Sequence, residues 1–135
     1  MSKVKMPALV RLGLIALLTL PLVAFHGFVG WHKACSSHAE LVLHTAWTAH
    51  LPEMLGKVIG WLEMGLTIAL LAALLRPRLA RVGAVACAAF VVLEAISLLT
   101  HQVMGDGAPA LQNVVSILVT ALLGWLYAQR AAAAR

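Results

Sequence analysis

The stretch MLGKVIGWLEMGLTIALLAALL, residues 54–75, carries one lysine and one glutamate among otherwise apolar or small residues. At ~1.5 Å of rise per residue, a helix of this length crosses the ~30 Å hydrocarbon core of a bilayer. Three further runs have the same character: Ala8 to Trp31, Leu79 to Thr100 and Pro109 to Ala128. Over all 135 residues, 62% are hydrophobic and 11% charged, too little polar surface to cover a soluble domain. The expected fold is all-α: one integral membrane domain over 1–135, a transmembrane four-helix bundle with a short interfacial helix between spans one and two.

Eight of the ten basic residues fall on one side of these spans: Lys3, Lys5 and Arg11 at the start, Arg76, Arg78 and Arg81 between spans two and three, and Arg130 and Arg135 after span four. By the positive-inside rule that side is cytoplasmic, which places both termini inside. The net charge of +5 then reflects topology and anionic lipid headgroups rather than nucleic acid. The lipid bilayer is the first partner implied. A signal peptide is the competing account of residues 1–24, but no small-x-small site closely follows the apolar run, which favours an uncleaved first helix. Cys35 and Cys87 fall at different depths, so both are expected as free thiols.

Punctuation agrees with the spans. Pro52 starts the second, Pro77 marks the turn after it, and Pro109 suits the first turn of the fourth. Pro21 interrupts the first and is a candidate kink. Ser37 and Glu40 match a capping box, which predicts a short helix from His38 to about His50, with Trp47 as an interfacial anchor like Trp31.

Histidines recur at every sixth position: His26, His32, His38, His44 and His50. On a helix, six residues turn the chain by roughly 600°, so successive imidazoles lie ~120° apart on three faces. Metal-binding helices use i, i+3 or i+4 pairs, so no metal site is expected from this run.

Each span carries a narrow stripe of polar or small residues: Thr19, His26, Gly30 and Lys33; Gly56, Gly60 and Glu63; Gly83, Cys87, Glu94, Ser97 and His101; Asn113, Ser116, Thr120 and Gly124. Steps of three, four or seven set each group on one face, and GKVIG is a G-x-x-x-G of the kind that lets helices approach. His26, Glu63 and Glu94 fall roughly 8 to 14 Å below the outer surface, with His101 and Asn113 nearer it. A charge near the bilayer centre costs at least ~2.5 to 3.5 kcal/mol, so these groups need partners or water. His26 is expected to bond one glutamate, and the other to be protonated or paired with Lys57 or another donor.

GWHK closing the first span, LGKVIGWLEMGLTIALL in the second with Pro77 after it, and a third span rich in small residues ending near a histidine together resemble the DoxX-like family of small four-helix membrane proteins. The resemblance covers most of residues 10–128 and maps the family's helix-one glycine and lysine and its helix-two glycine and glutamate onto Gly30, Lys33, Gly60 and Glu63. Glu94 and the histidine series depart from the family pattern. Resemblance to the membrane subunit of a thiosulfate:quinone oxidoreductase, and to members associated with redox defence, implies a bacterial inner-membrane protein near quinone or thiol chemistry.

Three functions follow as expectations. The first is a redox-associated subunit with an outer-leaflet pocket for a quinone-like head group, drawing on His26, Glu63, Glu94, Lys33, His101 and Asn113. The chain has no recognisable flavin, haem or iron-sulfur motif, so electrons would come from a protein partner or soluble reductant. The second is a non-catalytic accessory subunit, in a larger complex or a homo-oligomer. The third is a small transporter or metal-handling protein.

Overall fold

The computed structural model describes residues 6–108 and 110–134. They form α1 (Ala8–Cys35), α2 (His38–Leu43), α3 (Glu53–Leu75), α4 (Ala80–Met104) and α5 (Ala110–Ala133), with single 3₁₀ turns at Trp47–His50 and Pro77–Leu79. Among the described residues there is no β-strand. Lys3, Lys5, Pro109 and Arg135, used above for charge and helix start, lie outside them.

Helices α1, α3, α4 and α5 are each long and apolar enough to cross a bilayer. Their outward side chains include Leu17, Val85, Leu118 and Trp125, surface that is costly in water and neutral in hydrocarbon. The protein is a multi-pass membrane protein. The four helices follow one another around the bundle: α1 packs mainly on α3 and α4 on α5, while α3 on α4 and, most thinly, α1 on α5 close the ring. Pro21 lies within the continuous α1.

The four stripes point inward. Gly60 marks the closest crossing, because a Cβ there would stand 2.5 Å from the Ala34 amide nitrogen and 2.7 Å from the Gly30 carbonyl oxygen. The α1 and α3 backbones therefore touch, as small residues allow. Gly56, the other half of the G-x-x-x-G, meets Thr48 of the first 3₁₀ turn instead of a helix.

Toward the other end the core is apolar: Ile15 and Leu22 of α1, Leu70 of α3, Phe90 of α4, and Leu123 and Leu126 of α5. Tyr127 crosses it, its hydroxyl donating to the Leu70 carbonyl at 3.3 Å and lying 3.0 Å from Thr19 Oγ1. Arg130 donates to the Ala73 and Leu74 carbonyls, satisfying acceptors that the last turn of α3 leaves over.

Residues 36–52 form a strap across the opposite end. The capping box is present: Glu40 N–H donates to Ser37 Oγ at 3.3 Å, and Ser37 N–H to Glu40 Oε2 at 2.7 Å. The helix it starts ends at Leu43, short of the expected His50. Thr45 takes φ +52°, a left-handed conformation costly for a β-branched residue, and turns the chain before the 3₁₀ segment. That turn also corrects the placement of Trp47, which is 5% exposed and packed inward, whereas Trp31 is 56% exposed.

Candidate functional site

The first span runs a full turn past its expected end, and this lengthening places Lys33 on the inner face of α1. Its ammonium, 5% exposed as a residue, donates to Glu63 Oε1 of α3 at 2.6 Å and lies 5.3 Å from the Trp47 ring centroid. Lys33 is thus the partner of Glu63; Lys57 instead pairs with Glu53, one turn away on the same helix, at 2.7 Å.

Glu94 of α4 forms the second polar centre. Asn113 of α5 donates through Nδ2 to Glu94 Oε2 at 2.9 Å and to Ser97 Oγ at 3.0 Å. His26 Nδ1 stands 3.8 Å from Glu94 Oε1, an ion-pair distance too long for a hydrogen bond. The His26 ring stacks on Phe90 at 4.1 Å between centroids. Three buried atoms around this site, His26 Nε2, His32 Nε2 and Glu63 Oε2, have no hydrogen-bond partner among the described residues.

A third group ties the strap to the turn between α4 and α5. His101 Nδ1–H donates to Asp106 Oδ2 at 2.7 Å, and His50 Nε2–H donates to the same oxygen at 3.0 Å. The Ala108 amide donates to Oδ1 at 3.1 Å. The His101 hydrogen bond, then that of His50, then the Ala108 amide hold the Asp106 carboxyl well below the usual carboxylate range.

Between these groups lies a cavity of about 300 Å³. Lys33, Glu94, Ser97, His101 and Asn113, together with His32, His44, Thr45 and Gln112, supply its polar lining, and Phe25, Phe28 and Trp47 are among its apolar walls. Of the six residues singled out in the sequence, Lys33, Glu94, His101 and Asn113 line it directly. His26 and Glu63 stand behind, His26 against Glu94 and Glu63 against Lys33. The lining mixes donors, Lys33 and the Gln112 amide, with an acceptor, Glu94, inside an aromatic frame; this suits a small polar group with carbonyl or hydroxyl oxygens.

Sequence reasoning missed Trp47 as a wall, His32, His44 and Gln112 as lining residues, and the His50–Asp106–His101 group. The nearest signal was the five-residue spacing of His101 and Asp106 across a glycine turn; nothing local joins either to His50. Among the described residues, no three or more histidine, cysteine or carboxylate side chains form a group able to hold a metal ion. Compared with models of known protein families, with curated proteins and with solved structures, the chain matches none.

Proposed function

We propose that this chain is a redox-associated subunit of a bacterial inner membrane, of the DoxX-like kind, whose cavity binds a quinone-like head group beneath the outer face. The observation that carries the reading is the cavity itself: one carboxylate, one ammonium, two carboxamides and three imidazoles converge from α1, the strap, α4 and α5 inside aromatic walls. When bound, a quinone would supply coupled electron and proton chemistry. Lys33, which keeps N–H groups beyond the one it gives Glu63, is placed to hold one of its oxygens, and Asn113 holds Glu94 in position beside it. Glu94 and His101 are placed to exchange protons, with His101 in contact with the strap through Asp106 and His50.

The positive-inside asymmetry supports putting the strap and cavity outward and both termini inward. The apolar core below His26, built from Phe90, Leu22, Leu70, Ile15 and Leu123, supports a closed pocket over a transport conduit.

Purification in mild detergent followed by extraction of lipid-soluble molecules tests the reading. The parent is expected to retain a quinone; Glu94→Gln and Asn113→Leu are expected to lose it, and Glu63→Gln to retain less because Lys33 is no longer fixed. A parent that carries and binds no quinone overturns the reading.

The second reading, a non-catalytic accessory subunit, is favoured by one observation: Lys33 pairs with Glu63 and Asn113 with Glu94 without any ligand. It predicts that the same substitutions change stability and assembly alone.

A further inference from the structure

A second cavity, a groove of about 570 Å³, runs down the outer surface between α1 and α5, where the helices touch least. Its walls include Leu18, Pro21, Leu22, Val115 and Val119. Phe25 and Gln112 line both this groove and the polar cavity, so the two adjoin across those side chains. From Gln112 to Val119 the groove follows ~10 Å of helix. Pro21 has no amide to offer the Leu17 carbonyl, and Ser116 Oγ, in a residue 8% exposed, has no hydrogen-bond partner among the described residues.

We propose that the ligand is a single-tailed amphiphile with a neutral ring head, and that its hydrocarbon tail lies in this groove while the head occupies the polar cavity. The proposal rests on the reading of the cavity given above and names the ligand class more narrowly. Charge favours the neutral head. The charge of Lys33 is balanced by Glu63 at 2.6 Å, His101 donates to Asp106, and the other lining imidazoles, His32 and His44, meet edge to face at 5.2 Å between centroids. Glu94 faces the cavity, and an anionic phosphate head would meet its carboxylate. Shape favours one tail, since a single groove adjoins the cavity, whereas a diacyl lipid brings two chains. The tail gains little by leaving lipid, which is as apolar as the groove. Its gain is van der Waals packing along α1 and α5, which fixes where the head sits.

The test uses the full chain in mild detergent with two probes: a benzoquinone bearing a diazirine on an alkyl tail, and the benzoquinone ring without a tail. Photolabelling is expected to saturate, to concentrate on peptides containing Leu18, Val115 and Val119, and to be suppressed by excess ring. Val115→Trp fills the groove at a residue already half exposed to lipid. It is expected to reduce groove labelling about tenfold while ring binding changes less than about twofold. Labels scattered over the lipid faces, including Trp61 and Val85, with ring binding intact, overturn the tail seat alone. Phosphatidylglycerol displacing the probe as well as the ring does overturns the neutral single-tailed assignment. Absence of saturable ring binding overturns the reading of the cavity and this proposal with it.

Discussion

Lys33 Nζ lies 2.6 Å from Glu63 Oε1 and 5.3 Å from the Trp47 ring centroid, so one buried ammonium joins the last turn of α1, the middle of α3 and the strap. Removing one member of a buried pair strands the other charge, at a cost of ~3–5 kcal/mol, whereas replacing both with apolar groups is often neutral. Lys33→Met and Glu63→Leu should each lower stability by about that amount, and the double substitution should return most of it. Unfolding in detergent, followed by far-ultraviolet circular dichroism, reads the cycle. Additive losses would mean the two groups do not interact.

The α1–α3 crossing makes a contrast between two glycines of one helix. A methyl on Gly60 would sit 2.5 Å from the Ala34 nitrogen, while one on Gly65 would meet nothing within 4 Å. Gly60→Ala must separate two backbones and should cost about 1–3 kcal/mol, the range for overpacking. It should also pull Lys33 away from Glu63. Gly65→Ala should be neutral or stabilising by up to ~1 kcal/mol through helix propensity. Equal effects of the two in the same unfolding assay would contradict the close crossing.

The spans were legible because hydrocarbon thickness and helix rise together dictate about twenty apolar residues. The inward stripes were legible because a helical period is a local property: Thr19, His26 and Lys33 sit on one face whatever the neighbours are. The Lys33–Glu63 pair was only half legible. Its depth followed from position, but whether Lys33 or Lys57 reached Glu63 depended on where α1 ended and how the helices were registered. Trp47 was misplaced for a related reason. Composition suits it to the interface, and only the left-handed turn at Thr45 reverses the chain to bury it. His50, Asp106 and His101 were illegible as a group, since residues 50 and 106 meet only through the packed bundle.

Asp106 gives the pH dependence a definite sign. Its folded pKa lies below the unfolded value of about 3.9, so the stability it contributes is present above that value and is lost as pH falls through the folded pKa. Acidification from about pH 5 downward should loosen the strap in the parent. Asp106→Asn should already be loosened at neutral pH and should lose less on acidification. Hydrogen exchange of residues 46–51 reads the difference. Identical acid profiles for parent and variant would mean that Asp106 does not hold the strap.

Orientation can be decided with the two cysteines the chain already has. Cys35 is exposed at the strap end of the bundle, while Cys87 is 1% exposed inside it. Thiolate chemistry needs access to solvent, so Cys35 should react with a membrane-impermeant maleimide and Cys87 should stay inert in the folded protein. If the strap faces outward, Cys35 labels in intact cells. A cysteine at the other end, introduced as Arg78→Cys in a Cys35→Ser background, then labels only after the membrane is opened. The opposite pattern would invert the topology and place the cavity, with Glu94 and His101, on the cytoplasmic side. A proton taken up there would come from the cytoplasm, so the labelling result also decides which compartment supplies the chemistry proposed for the site.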